Sequence, residues 1–140
     1  MNNYTLDDIN IGQIESFPAK ITSEMMNAFR LLTGDENLLH TDDAFAREKG
    51  FSGRVAYGML TASFLSTLVG VYLAGRRSLI HKVEVEFPAP VMPDDELTVS
   101  GEVMEKDVRF NLLKLAVTIR NAKGQKVCRG KMTVGVLIDK

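Results

Sequence analysis

Residues 57–74 read YGMLTASFLSTLVGVYLA and carry no formal charge. The stretch is long enough to approach the threshold for a membrane-spanning helix. It contains glycines and several hydroxyl side chains, however, and it is followed by strand-like patterns that need an apolar element to cover them. A helix that is apolar nearly all round is also typical of the buried centre of a soluble domain. We therefore interpret residues 57–74 as a buried central helix that ends near Gly75, and we expect no membrane partner.

The residues after this helix alternate between apolar and polar, which is the period of a β-strand. The alternation is clearest in residues 82–87, 97–103 and 113–119, and a last strand is predicted within residues 127–138. Turn sequences rich in proline, glycine and asparagine separate these segments. Because short turns force antiparallel pairing, we predict that these strands form an antiparallel sheet.

The residues before the central helix predict one further strand and two helices. The strand covers residues 14–21. Thr22 or Ser23 is suited to cap a helix that runs through Leu32, and Gly34 is suited to end it. A shorter helix is predicted over residues 44–49, directly after two aspartates that favour a helix N-terminus.

The combination of elements predicts the fold. An antiparallel sheet of this kind has one apolar face, and the uncharged helix is the only element large enough to cover it. We therefore predict an α+β protein in which the sheet wraps around the central helix, the hotdog fold. A chain of 140 residues is long enough for one hydrophobic core, so we expect a single domain over residues 1–140.

Composition narrows the class of partner. The formal net charge is −1 and no run of lysine and arginine is dense, so we expect no nucleic-acid partner. Cys128 is the only cysteine, which excludes an internal disulfide and a cysteine-based metal cluster. The N-terminal residues lack the basic and apolar regions of a signal peptide. Together these features predict a cytoplasmic protein.

A second stretch, residues 29–46, reads FRLLTGDENLLHTDDAFA and carries candidate chemistry. Asp35, Asn37 and His40 follow Gly34 closely. A carboxylate, an amide and an imidazole at this spacing could hold and polarise one water molecule. The alternative interpretation is an ordinary polar loop.

These motifs resemble a known family. TGDENLLH, followed by TDDAFA and then by YGMLTAS, is similar to the signature of the MaoC-like (R)-specific enoyl-CoA hydratases, also called hydratase 2. The resemblance covers nearly the whole chain, and it rests on Phe29, Gly34, Asp35, Asn37, Leu39, His40 and Ala46. The chain departs from the family at two positions. Leu38 replaces a proline, and Tyr57 stands where histidine is frequent.

The resemblance implies a catalytic role for several residues. Asp35 and His40 would form the pair that activates water, and Asn37 would help to position the water or the thioester. The backbone N–H of Gly58 would form the oxyanion hole. The free N–H groups and the positive end of a helix dipole independently favour negative charge at that place. Ser66 would bond the histidine and fix its orientation.

The resemblance also implies how a substrate binds. Phe29 and Met59 are candidates to line an apolar tunnel for the acyl chain, and Tyr57 would lie in the pocket near the oxyanion hole. Arg54 could meet the phosphates of coenzyme A or an acidic carrier protein. The alternatives are plain core packing for the apolar residues and a solvated surface for Arg54. No metal or cofactor is implied, because coenzyme A or an acyl carrier enters as part of the substrate. The uncovered edge strand of a single sheet predicts self-association, and the resemblance implies homodimers with the sheets joined edge to edge. We therefore expect a homodimer or a higher homo-oligomer.

The implied reaction is hydration of a trans-2-enoyl-CoA to an (R)-3-hydroxyacyl-CoA, or the reverse dehydration. Two other enzymes remain alternatives, a 3-hydroxyacyl dehydratase acting on acyl carrier protein and a hotdog acyl-thioesterase. The non-enzymatic alternative is a protein that binds an acyl thioester without turnover, and the substitutions at Leu38 and Tyr57 keep that alternative open.

Overall fold

Five strands form one antiparallel sheet in the computed structural model, which describes all residues from 1 to 140. The strands are β1 (Ile14–Lys20), β2 (Ser78–Glu86), β3 (Glu96–Asp107), β4 (Leu112–Asn121) and β5 (Lys126–Val136). Their order across the sheet is β1-β3-β4-β5-β2. Each lies where the sequence predicts a strand, although β2, β3, β4 and β5 extend beyond the predicted bounds.

Alternating burial gives the sheet one apolar face. In β4, Leu113, Leu115, Val117 and Ile119 are buried, whereas the residues between them are exposed or half-buried. The same alternation runs through β3, which pairs with β4 over most of its length. The period of two in the sequence is therefore the period with which side chains enter the core.

The connection from β2 to β3 does not join neighbouring strands. β2 pairs with β5 at one edge of the sheet, and β1 pairs with β3 at the other. Residues 87–95 therefore carry the chain across the sheet, and the sequence prediction of an antiparallel sheet did not include this crossing. Pro88 and Pro90 lack an amide hydrogen, so this segment is unsuited to continue a strand ladder.

Four α-helices accompany the sheet: α1 (Ser23–Thr33), α2 (Leu38–Thr41), α3 (Asp43–Glu48) and α4 (Gly58–Thr67). Thr22, one of the two residues predicted to cap α1, does so by accepting a hydrogen bond from the N–H of Met25 at 3.2 Å. Gly34 ends α1 in the left-handed conformation with φ of 74°. The short helix α2 is absent from the sequence prediction. A 3₁₀ turn (Leu6–Asp8) precedes β1.

The central helix consists of α4 followed by a π-helical turn (Leu68–Tyr72). Leu65, Leu68 and Val69 are buried against the apolar face of the sheet, as predicted. A Cβ at Gly101 of β3 would lie 2.8 Å from Cδ2 of Leu68, so this glycine makes room for the helix. None of the helices combines the length and the apolar character that crossing a membrane requires.

The covering of the central helix is incomplete within one chain. Met59, Ser63 and Ser66 lie on one exposed face of α4. The sequence interpretation of residues 57–74 as buried throughout is therefore wrong for this face, because the sheet contacts only the opposite side of the helix.

Candidate active site

The segment between α1 and α2 is built by local hydrogen bonds. The N–H of Gly34 donates to the carbonyl of Arg30 at 2.8 Å, which closes α1. Oδ1 of Asp35 then accepts from the N–H of Asn37 at 3.0 Å, and Oδ1 of Asn37 accepts from the N–H of Leu39 at 3.0 Å. Asparagine and aspartate favour such turns because their short side chains reach the backbone two residues on. The result is a compact turn that leads directly into α2.

His40 is carried by α2 and is held by one backbone contact. Its Nδ1 lies 2.7 Å from the carbonyl oxygen of Val55. A carbonyl oxygen can only accept, so Nδ1 carries the hydrogen in this bond. The other ring nitrogen, Nε2, then has its lone pair available for a proton.

Tyr57 packs beneath the candidate catalytic residues. Its ring centroid lies 4.3 Å from that of His40 and 4.8 Å from that of Phe29. Its hydroxyl donates to the backbone carbonyl of Asp35 at 2.7 Å. Burial of the phenol, and then the nearby Asp35 carboxylate, raise the pKa of Tyr57 above its ordinary range. Tyr57 therefore remains a protonated donor at neutral pH.

A cleft of about 580 Å³ opens where these elements meet the start of α4. Its walls contain three ionisable side chains, a helix N-terminus and several apolar side chains. The lining residues are Phe29, Thr33, Asp35, His40, Tyr57, Gly58, Met59 and Phe87. Six of the predicted site residues are thus brought together, namely Phe29, Asp35, His40, Tyr57, Gly58 and Met59.

Gly58 is the first residue of α4 and lines the cleft. Its backbone N–H donates to no backbone carbonyl, as is general for the first turn of a helix. A free N–H at the positive end of a helix dipole favours an oxygen that gains negative charge. With the Asp35 carboxylate and the His40 imidazole on the same cleft, the chain offers a pair of groups for proton transfer and a donor for an oxyanion.

Three predicted site residues lie outside the cleft. Ser66 is exposed about two turns along α4, and the carbonyl of Val55 is the hydrogen-bond partner of His40 at Nδ1, so the orienting role of Ser66 stays a prediction. Asn37 is also exposed, and its side-chain oxygen caps α2. Arg54 lines a separate polar groove of about 300 Å³, together with Arg47.

Two residues of the cleft were missed by the sequence prediction. Phe87 directly follows β2, and a Cβ at Gly58 would lie 3.5 Å from its ring. Its alternation with Val83 and Val85 indicated only a strand position. Thr33 is the last residue of α1, and its hydroxyl donates to the carbonyl of Phe29 at 2.8 Å and accepts from the N–H of Asp35 at 3.2 Å. Its position directly before Gly34 was the feature of the sequence that could have indicated a place in the site.

Comparison with known proteins identifies the family of the chain. The family model described as MaoC like domain matches residues 10–125. An (R)-specific enoyl-CoA hydratase of Rhodospirillum rubrum is 32% identical over 134 residues, which cover 93% of this chain and 90% of the relative. A 3-hydroxybutyryl-CoA dehydratase of Methylorubrum extorquens is 31% identical over 112 residues, covering 80% of this chain and 71% of the relative.

Solved structures show the same fold. The unliganded R-hydratase of Pseudomonas aeruginosa is similar with a TM-score of 0.91 and 27% identity, over 98% of this chain and 88% of that chain. The (R)-hydratase of Aeromonas caviae is similar with a TM-score of 0.88 and 29% identity, over 92% of this chain and 98% of that chain. The family model and these relatives identify the chain as a hotdog-fold member of the MaoC-like domain family and as a lyase of the hydratase and dehydratase type.

Proposed function

We propose that the protein hydrates trans-2-enoyl-CoA to (R)-3-hydroxyacyl-CoA, or catalyses the reverse dehydration, with Asp35 and His40 acting on one water molecule. The observation that carries the proposal is the shared cleft, in which both side chains and the free N–H of Gly58 line one apolar-walled space. The hydratase and dehydratase relatives support the same chemistry.

In the proposed reaction, the oxygen of water forms a bond with Cβ of the enoyl group as the carbon–carbon double bond breaks. One proton of the water passes to the Asp35–His40 pair, and the pair supplies one proton to Cα. The electron pair of the double bond rests transiently on the thioester oxygen, where the N–H of Gly58 would stabilise it. The proton count balances within the pair and the water, so the proposed reaction needs no metal or redox cofactor.

The carrier of the acyl group is proposed to be coenzyme A. The named relatives are enzymes of coenzyme A thioesters. Arg54 and Arg47 line the separate polar groove, and Val55, whose carbonyl holds His40, directly follows Arg54 in the chain. Guanidinium groups are suited to phosphate because they offer two parallel donors. We therefore place the phosphate end of the carrier over this groove.

The decisive experiment is a panel of trans-2-enoyl thioesters on coenzyme A and on acyl carrier protein, with the stereochemistry of the product determined. We expect the (R)-3-hydroxyacyl product from coenzyme A substrates. Asp35→Asn or His40→Ala should slow hydration by about 100- to 10,000-fold while the fold survives. Near-normal rates in both variants contradict the proposed dyad, and release of free thiol would indicate a thioesterase.

The protein is further proposed to act as a homodimer. β2 is an edge strand, and its side chains Leu79, Ile80 and Val83 are exposed, as is Met59 on the uncovered face of α4. An exposed apolar edge strand favours pairing with another chain. Light scattering on the purified protein should give twice the mass of 15.5 kDa. A monomeric mass at micromolar concentration would contradict the dimer.

A further inference from the structure

We propose that the hydroxyl of Tyr57 is a positioning group that holds the Asp35 segment against His40 and thereby sets the turnover rate of the site. The inference rests on the proposed hydratase function, and it concerns a residue at which this chain departs from the family signature. The supporting observations are the contacts of the Tyr57 side chain, the other contacts of residues 34–37, and the backbone conformation at Asn37.

The hydrogen bond from Tyr57 to Asp35 joins two distant parts of the chain. The phenol oxygen lies 2.7 Å from the carbonyl oxygen of Asp35. Other contacts of residues 34–37 are local: Gly34 bonds to Arg30, and Glu36 pairs with Arg30. No further hydrogen bond links these residues to the start of α4. Without the phenol, the segment that carries Asp35 would be tied only to its own flanking helices.

The same side chain supports His40. The two rings lie 4.3 Å apart at an interplanar angle of 32°. One bond to the backbone of Asp35 and one ring contact with His40 therefore hold the segment that carries the carboxylate in place relative to the imidazole. Because proton transfer requires both groups at hydrogen-bond distance from the same water, their relative position should affect kcat more than substrate binding.

The phenol itself is not placed to transfer a proton to substrate. The side chain of Tyr57 is only 2% exposed, and its hydroxyl is engaged by the Asp35 carbonyl. Burial and the Asp35 carboxylate raise the pKa of Tyr57, which keeps the hydroxyl protonated and donating. Tyr57 is thus a positioning residue and not a catalytic one.

A substitution at Leu38 offers an independent way to stiffen the same segment. Asn37 has φ of −57° and ψ of 125°, and this ψ lies outside the α region that a following proline disfavours. Leu38 is the first residue of α2, and its N–H donates to no backbone carbonyl. Proline is well tolerated at the first helical position. Leu38→Pro should therefore fit the native backbone and restrict the segment when the phenol is removed.

The test compares Tyr57→Phe with the matched control Tyr72→Phe, using a short trans-2-enoyl-CoA as substrate. Tyr72 stacks on Phe17 at 4.9 Å, outside the cleft. We expect Tyr57→Phe to lower kcat by about tenfold, which corresponds to one lost hydrogen bond, with KM within about twofold. The control should retain the wild-type kcat. Adding Leu38→Pro to Tyr57→Phe should recover most of the lost kcat.

A second measurement does not depend on activity. Amide hydrogen exchange of residues 34–42 should be faster in Tyr57→Phe than in the wild type, and unchanged in Tyr72→Phe. A kcat of Tyr57→Phe within about twofold of wild type, or unchanged exchange in this segment, would overturn the inference. If the wild-type protein does not hydrate enoyl-CoA but exchange is still faster in Tyr57→Phe, the hydratase function and the effect on turnover are refuted. The hydrogen bond that ties Tyr57 to Asp35 is then still supported.

Discussion

Replacing Gly58 with alanine should change stability and activity in opposite directions. Gly58 does not have a positive φ, so alanine can adopt its backbone conformation. A Cβ at this position would lie 3.5 Å from Cε1 of Phe87, which is an ordinary van der Waals distance. The folded protein therefore has room for the methyl group. The methyl group leaves less room for the thioester oxygen of the proposed substrate, which approaches the N–H of the same residue.

The two effects can be estimated separately. A Gly→Ala change at a compatible position stabilises a protein by about 0.4–1 kcal/mol, mainly by reducing the freedom of the unfolded chain. Loss of one oxyanion-hole donor lowers kcat by about 100- to 1,000-fold. The Gly58→Ala variant keeps its donor and only displaces the oxygen, so we expect a decrease of about 10- to 100-fold in kcat/KM.

The assay combines thermal unfolding with the rate of enoyl-CoA hydration over a range of substrate concentrations. Gly70→Ala is the matched control, because Gly70 lies in the π-helical turn, outside the cleft, and a Cβ there would meet nothing within 4 Å. Both variants should unfold at or above the wild-type Tm. Only Gly58→Ala should hydrate enoyl-CoA more slowly than the wild type.

Two outcomes would contradict this interpretation of Gly58. Hydration by Gly58→Ala at a rate within about twofold of wild type would show that the thioester oxygen does not approach this N–H. A clearly lower Tm, accompanied by a proportional loss of activity, would show that Phe87 cannot accommodate the methyl group, and the lost activity would then reflect the fold.

Other parts of the molecule yield three further predictions. A Cβ at Gly130 would overlap the carbonyl oxygen of Glu84, so Gly130→Ala should destabilise the β2–β5 pair by about 1–3 kcal/mol, measured by urea unfolding. Cys128 is buried, and burial raises the pKa of its thiol. Ellman's reagent should therefore react with this thiol only as fast as the protein unfolds. A fast reaction of the native protein would contradict this prediction. Because the pKa of Tyr57 is raised in the folded state, its contribution to stability is present below about pH 10 and is lost as the pH rises through the folded-state pKa. Urea unfolding above pH 10 should therefore show a steeper loss of stability in wild type than in Tyr57→Phe.

The local elements of the fold were predictable because their signals lie within a few residues. Thr22 and Gly34 bound α1 in the structure as they do in the prediction, since capping depends on adjacent backbone groups. The burial alternation of β4 follows directly from its sequence. The helix α2 escaped prediction because it has only four residues, and its cap at Asn37 was interpreted as chemistry instead.

The candidate site was predictable where the motif is contiguous. Asp35 and His40 lie close in sequence, and both line the cleft. Phe87 was not predictable, because it reaches the cleft only through the position of β2 relative to α4. The orienting role of Ser66 rests on the resemblance and stays a prediction, because matching a motif does not reveal which face of α4 the cleft occupies.

The amino-acid pattern alone was sufficient for the uncharged central helix, the alternating strands and the Asp–Asn–His segment. These features depend on short-range periodicity and capping, which operate over one or two turns of chain. The order of the strands, with β2 beside β5 and not beside β3, required the folded arrangement. So did the contacts of Tyr57 with both Asp35 and His40. Such long-range contacts arise when the whole apolar face of the sheet closes on α4, and no local segment carries the information that selects them.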